Sequence, residues 1–219
     1  MSAAIIGNGG VVADVDEARN LQTFQGIAGY PAAGGFYVVT GQAATTGTPA
    51  TPLAVAAALA ADTMLMSARF AVGSTRKAYI TRLRLLLVPI TGAAAAVVPG
   101  SIGIQRFTAQ TPTGGNARTP ARFGEAKGSA TDMTDIRDSN AALTGTAPTF
   151  GTVLGSCLIP VVIGAVAAGY TEQAGIEWIY EPITPVELAP GDGIALRTKT
   201  TCPATATWTY SYNLHWFER

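Results

Sequence analysis

Within residues 205–217, the side chains from Thr207 to Trp216 alternate between two kinds. Large rings and a leucine take every second position, and Thr, Ser, Asn or His fills the positions between them. Because successive side chains of a strand point to opposite faces, this alternation predicts a long β-strand with one buried face. Aromatic and β-branched residues also suit the pleated surface of a sheet. The residues predicted to face the core are Trp208, Tyr210, Tyr212, Leu214 and Trp216.

Other stretches of the chain are strand candidates separated by turn residues, with little helical pattern between them. They are 36–40, 63–72, 78–88, 101–107, 152–163, 176–180 and 194–199. Roughly eight to ten short strands in one chain indicate a sandwich or a barrel. The predicted fold is all-β, an antiparallel, jelly-roll-like β-sandwich that closes around residues 205–217.

Local patterns carry four further predictions. The strand at 78–88 places Ile80 on the same face as two arginines, where that face reaches solvent or a partner chain. The Ala-rich residues 53–61 follow a proline, which indicates either a short helix or an irregular crossing. Residues 111–119 are predicted to form an exposed polar turn. A short Cys-Pro turn near residue 202 indicates that the last two strands form a hairpin.

Charge is scarce along the chain, and its balance argues against several classes of partner. The 219 residues include 14 basic and 14 acidic side chains, a formal net charge of +0. Nucleic-acid binding requires clustered Lys and Arg, so no nucleic-acid partner is expected. Charged residues form 13% of the chain, about half the usual share. A soluble monomer usually carries more charge, so a homo-oligomer or an assembly component is predicted.

A membrane partner and a secretory signal are not expected either. The most apolar stretch, 153–168, is shorter than the roughly 20 residues that a spanning helix needs. Pro160 and Gly164 interrupt it, so buried core segments are predicted there. The first residues have neither the basic region nor the apolar region of a secretory signal.

Two parts of the chain are distinguished, an N-terminal extended arm at 1–33 and the sandwich domain at 34–219. Apolar residues of the arm recur at helical spacing from Val11 to Leu21. This spacing predicts either an amphipathic helix that docks on a neighbour or a flexible tail. The residues predicted to contact a capsid or another subunit are Ile5, Ile6, Val11, Val15, Leu21, Phe24, Arg82 and Arg84.

Candidate residues for catalysis or metal binding are few. His215 is the only histidine, and any Ser-His-Asp or Cys-His arrangement would have to use it. It falls on the polar face of the last strand, where a solvated or interface residue is the simpler interpretation. Asp132, Asp135 and Asp138 lie three apart, which does not match the alternate spacing of an EF-hand loop. They are predicted to form a solvated edge or a subunit contact.

The two cysteines, Cys157 and Cys202, are predicted to be buried free thiols. A chain without a secretory signal rarely uses two cysteines as a disulfide framework. With one histidine they also lack the four ligands of a structural zinc site. No catalytic residue, cofactor or metal is therefore predicted.

Four segments together resemble a group of tailed-bacteriophage virion proteins. They are AAALAADTMLMSARF at 56–70, AYITRLR at 78–84, LAPGDGIALRT at 188–198 and PATATWTYSYNLHWFE at 203–218. The resemblance covers roughly residues 36 to 219, and residues 1–30 have no part in it. It implies a jelly-roll-like domain in a capsid decoration (cement) protein or another virion surface protein. It brings no catalytic residues.

The expected function is therefore structural. The chain is expected to bind the major capsid protein on the outside of a phage head, as a homotrimer, and to be located in the virion after assembly in the host cytoplasm. The alternative is a receptor- or glycan-binding β-sandwich module of a tail or head fibre. An enzyme acting through paired carboxylates is a third reading, for which no residue pair stands out.

Overall fold

All the regular secondary structure that can be described in this chain is β-structure. In the computed structural model, the described residues are 5–6, 12–13, 35–41, 53–55, 59–91, 100–122, 130–143, 149–159, 176–202 and 207–219. Two antiparallel sheets pack face to face as a sandwich. The prediction of an all-β antiparallel sandwich is confirmed.

Fifteen strands run through the described residues in chain order. The first eight are β1 (Ile5–Ile6), β2 (Val12–Ala13), β3 (Phe36–Gly41), β4 (Leu53–Val55), β5 (Met64–Arg69), β6 (Ala78–Thr91), β7 (Ser101–Thr108) and β8 (Pro112–Ala117). The others are β9 (Ala121–Arg122), β10 (Asp135–Leu143), β11 (Thr149–Leu158), β12 (Ile176–Tyr180), β13 (Val186–Leu188), β14 (Gly193–Thr198) and β15 (Thr207–Glu218).

The strand order places β15 inside one of the two sheets. The seven-stranded sheet has the order β12-β6-β15-β3-β9, and β13 and β4 pair in addition with β6 and β15. The six-stranded sheet has the order β11-β7-β14-β5-β10-β8, and β1 and β2 pair with each other. Because β15 pairs with β6 along its length and with β3 and β4 on its other side, both of its edges are satisfied.

The five side chains of β15 that were predicted to face the core do so, and each is at most 1% exposed. Residues from the six-stranded sheet cover them, including Met66, Ile104 and Leu196. The hydroxyl of Tyr210 donates a 2.7 Å hydrogen bond to the carbonyl of Leu65 in that sheet. A buried ring with a satisfied polar tip thus joins the two layers.

A β-bulge changes the faces of β6 from those predicted. His215 pairs with Arg82 and Trp216 pairs with Ile80, so Thr81 is the extra residue. An extra residue shifts the alternation by one position. Ile80 is therefore fully buried, and the prediction that it shares a face with Arg82 and Arg84 is wrong.

The other local predictions need correction as well. The hairpin between the last two strands does not form, since β14 belongs to the six-stranded sheet and β15 to the seven-stranded one. The alternative of a short helix at 53–61 is wrong for the first residues, because Leu53–Val55 is a strand that pairs with β15. Residues 112–117 form β8 rather than a turn, although most of them are exposed as expected.

Most of the N-terminal arm lies outside the described residues, and so does most of the helix or tail predicted within it. The helix alternative is wrong at Val12–Ala13, which is a strand. Only Ile5–Ile6 and Val12–Ala13 are described there, as β1 and β2. The predicted contact residues Val11, Val15, Leu21 and Phe24 also fall outside.

A buried carboxylate holds the end of β15 in place. The side chain of Glu218 is fully buried, and the backbone N–H of Asp132 and the indole N–H of Trp216 each donate to it at 3.1 Å. The hydroxyl of Thr131 donates to it as well. The guanidinium of Arg76 lies 3.1 Å from Glu218 and 2.7 Å from Asp132. The same hydrogen-bonded arginine lowers the pKa of Asp132.

We expect Glu218→Ala to lower the free energy of unfolding by about 3–5 kcal/mol, because it leaves buried partners without their carboxylate. Urea denaturation followed by tryptophan fluorescence measures the loss. The matched control is Glu177→Ala, which removes an exposed ion pair with Arg84 and should cost less than about 1 kcal/mol. Equal small losses in both variants would show that the Glu218 contacts add little.

Candidate interaction surface

The seven-stranded sheet turns one face away from the core, and we refer to this face as the outer face. Its side chains are half-buried or exposed, and small polar residues form its middle. It includes Arg82, Arg84, Leu86 and Val88 from β6, Thr209, Ser211, Asn213 and His215 from β15, and Val38 and Thr40 from β3.

Both arginines that the sequence singled out lie on the outer face, near its margin with β12. The Arg82 side chain is 40% exposed, and its Nε lies 2.9 Å from a carboxylate oxygen of Glu181. Arg84 forms an ion pair with Glu177 on β12. Exposed pairs of this kind contribute at most about 1 kcal/mol. The guanidinium groups therefore remain available to a partner at little cost in stability.

The middle of the outer face carries no net charge at neutral pH. The hydroxyl of Thr40 donates a 2.7 Å hydrogen bond to the amide oxygen of Asn213. Burial, with a smaller effect of the nearby Arg82, lowers the pKa of His215, so its imidazole stays neutral. Thr and Ser hydroxyls lie beside Val38, Leu86 and Val88. Mixed polarity of this kind is typical of surfaces that associate and separate as folded units.

The dimensions of the outer face match one side of a stable protein interface. β15 has twelve residues, and at about 3.4 Å per residue it spans roughly 40 Å. Four neighbouring strands about 4.8 Å apart add a width of roughly 20 Å. The product, roughly 800 Å², is close to the area that each partner contributes to a standard interface.

Two of the three aspartates at 132–138 are held within the fold and do not form the predicted solvated edge. Asp138 is fully buried and accepts hydrogen bonds from Nε of Arg118 at 2.7 Å and from the hydroxyl of Tyr212 at 2.9 Å. Asp132 is held by Arg76 and Ser74. Both carboxylates tie elements of the fold together. No three Asp, Glu, His or Cys side chains within the described ranges are placed to hold a metal ion.

A depression of about 450 Å³ lies where β7 and β11 meet. The described residues that line it are Arg106, Thr108, Thr149, Phe150, Gly151, Thr152 and Leu154. The Arg106 guanidinium is 2.7 Å from Asp192, and Arg197 stacks 3.6 Å above the Phe150 ring. A ring, hydroxyls and a cation suit the binding of a polar ligand. The lining named here includes no acid or base pair for catalysis.

Cys157 and Cys202 are free thiols, as predicted. Cys202 is buried, whereas Cys157 on β11 is half-buried. Burial raises the pKa of the Cys157 thiol to about 12 and raises that of Cys202 as well. Because the thiolate is the reactive form, both groups are poor nucleophiles near neutral pH.

Comparison of the chain with protein-family models, with curated proteins and with solved structures finds no match in any of the three. The likeness to phage virion proteins stays a prediction that rests on segments 56–70, 78–84, 188–198 and 203–218. Where the chain is described, no helix is long and apolar enough to cross a membrane.

We expect the Cys157 thiol of the native protein to react about 10³-fold more slowly with a thiol reagent at about pH 8 than an unperturbed cysteine, since its raised pKa removes the thiolate. The buried Cys202 thiol, whose pKa is also raised, should react more slowly than an unperturbed cysteine as well. The absorbance of Ellman's reagent measures the rate. The same protein in denaturant is the control and should react at once. Prompt labelling of either native thiol would contradict the burial described here.

Proposed function

We propose that this chain is a structural protein of a bacteriophage virion that decorates the outer surface of the head and stabilises it by bridging capsomers. The observation that carries the proposal is the outer face, which is neutral, of mixed polarity and of interface size. It belongs to a two-sheet sandwich in a chain with few charges. The resemblance of residues 36 to 219 to virion proteins supports the same function.

Bridging by many identical copies fits these properties. Each copy needs only a standard interface with the major capsid protein, since the stabilisation of the head grows with the number of copies bound. The preformed sheet loses little conformational freedom on docking. Arg82 and Arg84 at the margin supply orientation through charge, which favours the correct register on the capsomer.

The arm at 1–33 has a second role in this proposal. Its apolar residues, with Ile5, Ile6, Val11, Val15, Leu21 and Phe24 among them, order on the head surface when the sandwich docks. The copies stand on the head as homotrimers, in the virion assembled in the host cytoplasm. Nucleic acid, membrane, metal and cofactor have no part in the mechanism.

Arg82→Glu should weaken binding to phage heads about tenfold or more, because it places a third acidic group beside Glu177 and Glu181 on the docking face. Cosedimentation with purified heads that lack the chain measures the affinity. The matched control is Arg106→Glu on the six-stranded sheet, whose arginine is also 40% exposed and ion-paired. It should bind like wild type.

Two results would contradict this proposal. If wild-type protein does not cosediment with heads at any concentration tested, head decoration is wrong. If it binds but both arginine variants bind equally well, a surface other than the outer face docks on the capsomer.

Deleting residues 1–33 should abolish stable attachment to heads while the sandwich stays folded, because the described strands of both sheets begin at Phe36. Cosedimentation measures attachment, and urea denaturation compared with full-length protein measures the fold. Equal attachment of the shortened and full-length chains would show that the arm has no role in binding to heads.

A receptor- or glycan-binding module of a tail or head fibre is the second candidate. The 450 Å³ depression at Arg106 and Phe150 favours it, since a ring and hydroxyls suit a sugar. Binding to a glycan array that Phe150→Ala abolishes, without any binding to heads, would favour this candidate over head decoration.

A further inference from the structure

A lysine and a glutamine meet on the side of the six-stranded sheet that faces away from the core. Nζ of Lys199 donates a 3.0 Å hydrogen bond to Oε1 of Gln105 on β7. The same Nζ lies 3.1 Å from a carboxylate oxygen of Asp62. Nη1 of Arg197 also donates to Oε1 of Gln105, at 3.1 Å. An amine, a carboxamide, a carboxylate and a guanidinium are therefore brought together in one hydrogen-bonded group.

A glycine opens the path along which the lysine side chain reaches the glutamine. Lys199 comes directly after β14, and its backbone N–H donates to the carbonyl of Ser101 at the start of β7. Every second residue of a strand shares a face, so the Lys199 side chain crosses Gly103 on its way to Gln105. A Cβ atom on Gly103 would lie 2.9 Å from Cγ of Lys199. The missing side chain at this position therefore allows the approach.

The carboxamide of Gln105 is held in one orientation and largely shielded from water. Its Nε2 donates a 2.8 Å hydrogen bond to the carbonyl of Gly151, while its Oε1 accepts from the two cations. Gln105 is 6% exposed, and Arg197, which is 8% exposed, stacks on the Phe150 ring. Cationic donors on a carbonyl oxygen stabilise the negative charge that develops there when a nucleophile attacks the carbon.

Asp62 is placed to accept a proton from the lysine. Its backbone has a φ of 66°, and its N–H donates to the carbonyl of Thr198, the residue before Lys199. These features hold the carboxylate beside both Lys199 and Arg197. The 3.1 Å between the carboxylate and Nζ is within the reach of a general base. Loss of a proton converts the ammonium of a lysine into a nucleophilic amine.

We propose that Lys199 and Gln105 join in an intramolecular isopeptide bond, with Asp62 as the base. Asp62 removes a proton from the Lys199 ammonium, and the lone pair of Nζ attacks Cδ of Gln105. This carbon is one C=O bond, about 1.2 Å, beyond the oxygen that Nζ already contacts. Negative charge moves onto Oε1, where Arg197 stabilises it. Because the reacting groups are fixed next to each other, the chain needs no separate enzyme.

The bond between Cδ and Nε2 of Gln105 breaks in the second half of the reaction. The electron pair on Oε1 returns to form the carbonyl, and Nε2 takes the proton from Asp62 and leaves as ammonia. The second proton of Nζ departs with it, so that ammonium ion carries away the positive charge of the lysine. A secondary amide between the two side chains remains. The reaction uses no oxidant or reductant, and it occurs once in each chain.

The isopeptide bond would stabilise the sandwich through the unfolded state. Gln105 and Lys199 belong to the neighbouring strands β7 and β14 and the residues just after them, but they are 94 positions apart in the chain. The bond therefore closes a long covalent loop. Long loops restrict an unfolded chain more than short ones, so the folded state becomes relatively more favourable. The inference concerns chemistry within one chain and does not depend on binding to a phage head.

The test is the mass of the intact full-length chain, measured by electrospray mass spectrometry after denaturation. Wild type should weigh less than its sequence requires by the mass of one ammonia. Cyclisation of an asparagine also releases ammonia, so a tryptic map is needed to locate the change. The map should contain a branched peptide that joins the segments around Gln105 and Lys199, and trypsin should not cleave after Lys199.

Three variants separate the roles of the side chains. Lys199→Arg keeps the positive charge but removes the amine, so it should have the full mass of its sequence. The matched control is Lys77→Arg, which alters another lysine paired with a carboxylate, that of Glu187, and it should lose ammonia like wild type. Asp62→Asn should lose ammonia about tenfold or more slowly, because it removes the base. Samples taken at intervals after cell-free synthesis give the rate.

Electrophoresis in SDS gives a second measurement. The bond survives denaturation, so the looped wild-type chain should migrate faster than Lys199→Arg. A wild-type chain with the full mass of its sequence would overturn the proposal and leave these contacts as an ion-pair network. A loss of ammonia that Lys199→Arg retains would overturn it too. Equal rates of loss in Asp62→Asn and wild type would overturn the assignment of Asp62 as the base.

Discussion

The burial of one face of β15 between the two sheets is the constraint on which the rest of the structure depends. Every second side chain from Trp208 to Trp216 is a large apolar group in the core, and both edges of the strand are hydrogen-bonded to neighbours. The side chains between them, from Thr209 to His215, are polar, and they form the middle of the outer face. The same alternation therefore builds the core and leaves a neutral polar surface on its other side.

Buried polar contacts fix how β15 is placed against the opposite layer. The hydroxyl of Tyr212 donates a hydrogen bond to Asp138, and the carboxylate of Glu218 accepts hydrogen bonds from the loop before β10. A slip of one residue would turn the rings and the Glu218 carboxylate to solvent, and it would remove the Tyr212 donor from the buried Asp138. Burial also raises the pKa of Tyr212, so its phenol stays a hydrogen-bond donor. Apolar burial supplies most of the stabilisation, and these contacts select one register.

Sequence periodicity predicted the fold class, the inward face of β15 and the solvent-facing position of Arg84, because these depend on local alternation. It failed at Ile80, since a bulge depends on the neighbouring strand. It paired β14 with β15, because an apolar strand pattern does not say which sheet receives the strand. The burial of Asp138 was missed for a similar reason, since its donors are distant in sequence.

The position of β15 between β3 and β6 has a consequence for synthesis of the chain. The hydroxyl of Thr81 donates to the carbonyl of His215, which is 134 residues later. At about 5–20 residues per second, a ribosome needs on the order of ten seconds to make that interval. Until then β6 has no β15 to pair with, and its leucines are without the rings that flank them. Translation, rather than the search for native contacts, sets the earliest moment at which this sheet can close.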